Sequence, residues 1–421
     1  MAVRPVGTGG SILRPIPTGS KATKAGTNGD ASRRLSSWIE AFVEYTSDLE
    51  SPEIFRRWAA ISTIGATLEQ KVWAHTTDKI YPNMYTFIVG HPGVGKSRTI
   101  AAARRLCETI DGYPIGPQSV SKASLVDALK KSRRSVTNVA LGISEEYNSM
   151  MLFSDDWQVT MSEWNRELIA GLTTFYDVIA SYSEMKRTKE IDIKIKAPQL
   201  NILAGSTPSQ LVSTMPEGSW EQGFTSRAMF IFSDERHINE TAFGKNEKDN
   251  KDLVHDLHVI SSLWGQLGNS EEFKEKVDAW RHAGMPPVPN HPKLLHYNSR
   301  RFVHLCKLCI VACVDRGQKL IITKEDYEKA LGWLIEAEYF MPNLFQAGAG
   351  NADAKAMLEI AHYIKEKGQV EEGQIIRFAQ DFVPVMSLQR ILSTMVASHM
   401  IKPLGTHPKY LTIVYGPDEG K

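Results

Sequence analysis

Met84-Tyr85-Thr86-Phe87-Ile88-Val89-Gly90-His91-Pro92-Gly93-Val94-Gly95-Lys96-Ser97 decides the fold of this 421-residue chain. The first six residues form an apolar, β-branched and aromatic run that reads as a buried strand stopping at Gly90. Gly90 to Ser97 then matches G-x-x-x-x-G-K-[ST], and a helical pattern follows, which is the strand-to-helix context that motif requires. Glycines let backbone N–H groups close around phosphate oxygens, and the start of a helix adds a positive partial charge. Gly90, His91, Pro92, Gly93, Val94, Gly95, Lys96 and Ser97 are therefore the candidate nucleotide-binding residues. Lys96 is expected at the β- and γ-phosphates of ATP, and Ser97 at Mg²⁺ through its hydroxyl.

Toward the C-terminus, further strand runs at Val139 to Ile143, Ile191 to Ile195, Leu200 to Ala204 and Ala228 to Phe232 alternate with helical patterns. That alternation predicts an α/β fold with a mostly parallel sheet. The Val139–Ile143 run ends in Ser144-Glu145-Glu146, where an acidic pair is expected to meet Mg²⁺ and polarise the attacking water. Either Ser144 replaces the usual Asp and Glu145 is the base, or Glu145 meets the metal and Glu146 is the base; Glu145 is preferred. Toward the N-terminus, helical periodicity covers 36–83. Residues 1–35 are rich in Gly, Pro, Ser and Thr, with six basic residues (Arg4, Arg14, Lys21, Lys24, Arg33 and Arg34) against Asp30. They read as a disordered basic arm. The core spans 84–240. Beyond it, 241–346 read as a helical subdomain interrupted at Pro286-Pro287-Val288-Pro289. A small-residue joint at 347–351 leads to a terminal module, 352–421.

Composition limits the function classes. Lys plus Arg number 49 against 48 Asp plus Glu, a net charge of +1, so any basic surface must be local. Four cysteines and no signal-like apolar stretch favour a reducing compartment, and no apolar run is long enough to span a bilayer. A cytoplasmic location, in a host cell if the chain is phage-encoded, and no membrane partner are expected.

Four further segments carry a resemblance. Leu203-Ala204-Gly205-Ser206-Thr207-Pro208 sets a polar residue before a proline at a strand end. Ser226-Arg227-Ala228-Met229-Phe230 is a Ser-Arg pair leading into an apolar strand. Asn298-Ser299-Arg300-Arg301-Phe302 opens a helix. Glu184-Met185-Lys186-Arg187-Thr188-Lys189 precedes the alternating strand Ile191–Lys196. Their order along the chain behind the Gly90–Ser97 loop, with the Glu184–Lys189 segment first, makes the core resemble the AAA+ ATPases, and among them the ring helicases of the minichromosome-maintenance and superfamily 3 type. Tyr81-Pro82-Asn83 before the first strand is also similar to phage and prophage ATPases encoded among replication genes. The resemblance implies a P-loop AAA+ core with a helical lid. It implies Thr207 as sensor, Arg227 as a finger reaching a neighbouring subunit's nucleotide, and Arg301 or Arg300 as a lid sensor. It also implies a hairpin whose Lys186, Arg187 and Lys189 touch DNA, expected to be single-stranded, in a central channel. A finger acting in trans requires self-association into a ring, expected to be a hexamer.

The terminal module reads as three helices and a two-stranded wing, a winged helix. If it binds DNA, Gln389, Arg390, Ser393 and His399 face the major groove. Its eight basic and eight acidic residues suit a protein contact equally well. His304, Cys306, Cys309 and Cys313 fall on one helix at core spacing and read as packing rather than a zinc site. Together these readings describe an ATPase acting as a DNA helicase or translocase in phage-type replication, with other replication proteins as further partners. The alternatives are an AAA+ helicase loader or protein remodeller, and a non-hydrolysing nucleotide-binding switch.

Overall fold

The computed structural model describes residues 32–418, apart from 139–142, 162–164, 187–190, 216–222, 239–247, 318, 348–351, 381 and 407–412. The chain divides into two compact units, Met1–Leu344 and Phe345–Lys421.

The first unit opens with α1 (Trp38–Tyr45) and α2 (Glu53–Leu68). Ser37 caps α1 by accepting the Glu40 N–H, and Pro52 stands at the entry to α2. Fourteen of the sixteen residues of α2 are buried, which marks a helix enclosed by the core rather than one lying on its surface. Residues 36–83 therefore belong to the same compact unit as the sheet. Two short strands, β1 (Val72–His75) and β2 (Lys79–Ile80), lead to β3 (Tyr85–Val89) and α3 (Lys96–Glu108). Lys307 anchors the Tyr81-Pro82-Asn83 segment, donating to Tyr81 O, Asn83 O and Asn83 Oδ1 at 2.9, 2.8 and 2.7 Å.

The middle of the chain adds α4 (Lys122–Lys131), β4 (Arg133–Asn138), β5 (Ile143–Ser154), α5 (Trp157–Thr160), α6 (Arg166–Tyr176), β6 (Ser181–Lys186), β7 (Ile191–Lys196), β8 (Pro198–Ser206), α7 (Pro208–Thr214) and β9 (Ala228–Phe232). The central sheet runs β4-β5-β8-β3-β9. β5, β8, β3 and β9 are parallel, and β4 is antiparallel at the edge. Every residue of β3, β8 and β9 is buried, as expected of parallel strands covered on both faces. Side-chain alternation assigns the faces of β3. Tyr85 and Phe87 meet Tyr176, Trp157 and Phe224, while Thr86 accepts a hydrogen bond from Ser62 of α2 at 2.7 Å. The β4 edge is secured by buried Glu69, which pairs with Lys71 at 3.0 Å and Arg134 at 2.9 Å.

The helical segment comprises α8 (Lys251–Ser261), β10 (Gly265–Gln266), β11 (Gly268–Asn269), α9 (Glu271–His282), α10 (Leu295–Asn298), α11 (Arg301–Arg316), β12 (Ile321–Ile322) and α12 (Lys324–Ala347). Two arginines assigned to the basic arm are docked on it. Arg33 donates to the carbonyls of Val314 and Asp315 at the end of α11 and pairs with Asp256, and Arg34 pairs with Asp252. Unsatisfied carbonyls at a helix C-terminus attract a cation, so the arm is fixed by residue 33. The rest of it, up to residue 31, lies outside the described residues.

The second unit holds α13 (Ala352–Lys367), β13 (Val370–Glu371), α14 (Glu372–Ala379), α15 (Val385–Ala397), β14 (Ile401–Thr406) and β15 (Ile413–Pro417), with an antiparallel sheet ordered β13-β15-β14. Ile360, Ile364, Ile375, Leu388, Ile391, Leu392 and Met395 form its own buried core. No described helix is long and apolar enough to cross a membrane.

Candidate functional site

The parallel strands end on one edge of the sheet, and the Gly90–Ser97 loop lies there. Gly90 N donates to Ser206 O at 3.2 Å, and Ser233 N to Val89 O at 3.2 Å, so the strands on both sides hold the root of the loop. Gly93 and Gly95 have φ of +84° and +76°, values that a side chain makes costly. A Cβ on Gly95 would also stand 2.6 Å from Glu50 O, and one on Gly90 2.6 Å from Ser233 O. The Glu50–Ser51 bend thus walls one side of the loop. Arg56 Nε holds that bend through Ser51 O at 3.2 Å, and Thr99 through Ser51 Oγ at 2.7 Å.

Lys96 lies across its own loop, donating to Gly90 O at 2.7 Å and His91 O at 2.8 Å. Burial pushes its pKa down, against the attraction of Asp156. The loop fits a polyphosphate. Its glycines leave backbone N–H groups uncovered at the start of α3, and its lysine is tied only to carbonyls that a phosphate oxygen can replace. Ser97 is exposed beside it.

The acidic pair differs from expectation. Glu145 and Glu146 sit near the start of β5, in antiparallel register with Val136 and Ser135 of β4. Glu146 is ion-paired with Arg133. The end of β5 that reaches the loop lies eight to nine residues further on, roughly 26–30 Å along an extended chain. The acids there are Asp155 and Asp156. Val139 to Gly142 lie outside the described residues, and the working strand is Met150-Met151-Leu152-Phe153, which pairs with β8. Four apolar residues followed by Ser-Asp-Asp were the available signal, outweighed by the earlier Val-Ala-Leu run. Asp155 is exposed, with its carbonyl against Gly205. Asp156 accepts from Gln158 N at 2.9 Å and from Gln210 Nε2 at 3.4 Å.

Thr207 stands at the same edge, one strand from the loop. It caps α7 by accepting the Gln210 N–H at 3.2 Å and donates to Gln210 Oε1 at 2.8 Å. Gln210 thereby links Thr207 to Asp156, a connection with no sequence signature.

The arginines implied by the resemblance lie elsewhere. Arg227 precedes β9 at the opposite end of the sheet, 8% exposed. It is ion-paired with Asp177 and donates to Gly223 O at 2.7 Å, so as placed it is a buried ion-pair residue rather than a free finger. Arg300 shares the same carboxylate at 3.1 Å. Burial raises the Asp177 pKa, but Arg227 and then Arg300 outweigh it and leave the acid below the ordinary range. Arg301 is fully buried. Its Nε and Nη2 each meet a Glu338 oxygen at 2.7 Å, and Nη2 also meets Pro287 O at 2.7 Å. It cannot serve as a nucleotide sensor while it ties α11 to α12 and the proline-rich turn.

β6 and β7 form a two-stranded antiparallel hairpin in which Lys186 pairs with Ile191; Arg187 and Lys189 lie outside the described residues. Ile193 and Ile195 are buried, while Lys194 and Lys196 on the alternate face are exposed. Cys306, Cys309 and Cys313 are buried on α11, and no cluster of three or more His, Cys, Asp or Glu side chains placed to hold a metal ion is found among the described residues.

His304, also on α11, donates from Nε2 to Ser226 O at 2.9 Å, since a carbonyl only accepts. Burial, with smaller contributions from Lys307, Arg300 and Arg227, pushes its pKa down to about 3 against the opposing effect of that hydrogen bond. The folded state therefore binds this proton more weakly than the unfolded chain does. The resulting stability is complete above about pH 6.5 and is lost as pH falls toward 3, at a slope of at most about 1.4 kcal/mol per pH unit. Thermal melts of the wild type and His304→Gln between pH 7 and 5 should show a steeper loss in the wild type; parallel slopes would refute this. Compared with protein-family models and with curated proteins, the chain matches none.

Proposed function

We propose that this chain is an ATP-hydrolysing, ring-forming motor of the AAA+ type that acts on DNA, as its resemblance to replicative ring helicases implies. The observation that carries the reading is the convergence of the Gly90–Ser97 loop, Lys96, the Asp155–Asp156 pair and Thr207 on one sheet edge. Backbone amides and Lys96 bind and orient the phosphates, Ser97 and an aspartate would hold Mg²⁺, and the other aspartate takes a proton from the attacking water. Bound Mg²⁺ would neutralise charge on the phosphates. The β6–β7 hairpin, with Lys186, Lys194 and Lys196, supplies the phosphate-contacting element. The second unit's order of helices and strands supports the winged-helix reading. For Arg227 to act on a neighbour's nucleotide, Asp177 must release it.

One observation favours the loader or remodeller instead. Arg390, the basic residue expected to reach DNA from α15, is paired with Asp353, which lowers the positive charge that face offers a phosphate. The acidic pair beside the loop favours hydrolysis over the switch reading. Phosphate release should be measured without DNA, with single-stranded DNA and with duplex, at low and moderate salt. DNA stimulation that weakens with salt and disappears in Lys96→Ala is expected. Turnover indifferent to DNA would move the assignment to the remodeller, and nucleotide binding without turnover to the switch.

A further inference from the structure

We infer that Arg236 is a phosphate-contacting residue acting on its own subunit's nucleotide; this rests on the nucleotide-loop reading above. β9 leaves the sheet beside the loop, fixed by Ser233 N on Val89 O and by the packing of Ser233 O against Gly90. Three residues later the guanidinium of Arg236 lies over the loop, with Nη2 3.3 Å from the point where a Cβ on Gly93 would stand. The side chain is exposed.

The nearby cations have different commitments. Lys96 is folded onto Gly90 O and His91 O, and Arg98 faces Glu50 at 3.6 Å. His237 is paired with Glu235 at 3.3 Å. Among the described residues, Arg236 is the cation left over the glycine backbone. A guanidinium is permanently charged and presents a planar fork of donors, which suits two oxygens of a phosphate chain. Strand geometry assigns the contact to the same chain, because Arg236 is only three residues from a hydrogen bond to the strand that bears the loop. β9 thus has an arginine at each end, Arg227 held by Asp177 on the far edge and Arg236 on the loop.

The test is a titration of the full chain with ATP and Mg²⁺, followed by steady-state hydrolysis. Arg236→Ala should weaken ATP binding about 10- to 100-fold and raise KM accordingly. Arg236→Lys should recover part of the loss, and the melting temperature should stay unchanged because the side chain is exposed. Mixing Arg236→Ala with Lys96→Ala protein then tests the same-subunit assignment. A residue acting in its own subunit gives no recovery of turnover on mixing, whereas one acting on a neighbour would be complemented by the Lys96→Ala subunits. Wild-type affinity in Arg236→Ala, or complementation on mixing, would overturn the inference while leaving the loop as the nucleotide site. A wild-type chain that binds no ATP would overturn both.

Discussion

Asp156→Asn should lower ATP turnover by about 10²- to 10⁴-fold while ATP still binds, the range expected when a proton-transferring side chain is lost. Asparagine keeps the oxygen that caps α5 and accepts from Gln158 N, and it remains within reach of Gln210. The loss would therefore be chemical rather than structural. Asp155→Asn should act on the same step, with a raised Mg²⁺ requirement. Glu145→Gln and Glu146→Gln should stay within about twofold of the wild type, because both residues lie roughly 26–30 Å of extended strand from the loop end of β5. Steady-state phosphate release with kcat and KM separated is the measurement. If Glu145→Gln abolished turnover and Asp156→Asn did not, the placement of the chemistry at the end of β5 would be wrong.

Arg301→Ala should destabilise the first unit by about 3–5 kcal/mol, since it leaves the Glu338 carboxylate buried without its cation. For a unit of this size that is a fall in melting temperature of about 4–7 °C. Glu338 is 4% exposed, and burial already holds its pKa above the ordinary range despite Arg301. Removing the arginine would push the acid toward its neutral form and strand the carbonyls of Met285 and Pro287. Arg300→Ala, which loses only a partly exposed share of Asp177, should cost much less. Replacing both members of the buried pair, as in Arg301→Met with Glu338→Leu, should restore much of the stability. Calorimetry across these variants checks the series, alongside ATP titration. Loss of ATP affinity at an unchanged melting temperature in Arg301→Ala would return Arg301 to the sensor role.

The sequence alone determined what depends on short-range pattern. The β3 run, the glycine loop and the start of α3 are contiguous, and each is dictated by local chemistry: β-branched and aromatic residues for a strand, glycines for left-handed turns, and a lysine at the helix start. Ala228–Phe232, the 191–196 strand of the hairpin, Thr207 at the end of β8 and the cysteines of α11 were readable for the same reason. Tertiary structure decided which strand end meets the loop. Two apolar runs before an acidic pair look alike on paper, and only pairing with β8 shows that Met150–Phe153, not the run before Glu145, carries its acids to the edge that bears the Gly90–Ser97 loop. It also decided the fate of the arginines. A guanidinium before a strand or at a helix start has the same sequence signature whether it is exposed or buried. Whether Arg227 and Arg301 are free depends on Asp177 and Glu338, carboxylates 50 and 37 residues away, and Arg236 reaches the loop only because β9 lies beside β3. Such contacts are set by sheet order, which no local pattern specifies.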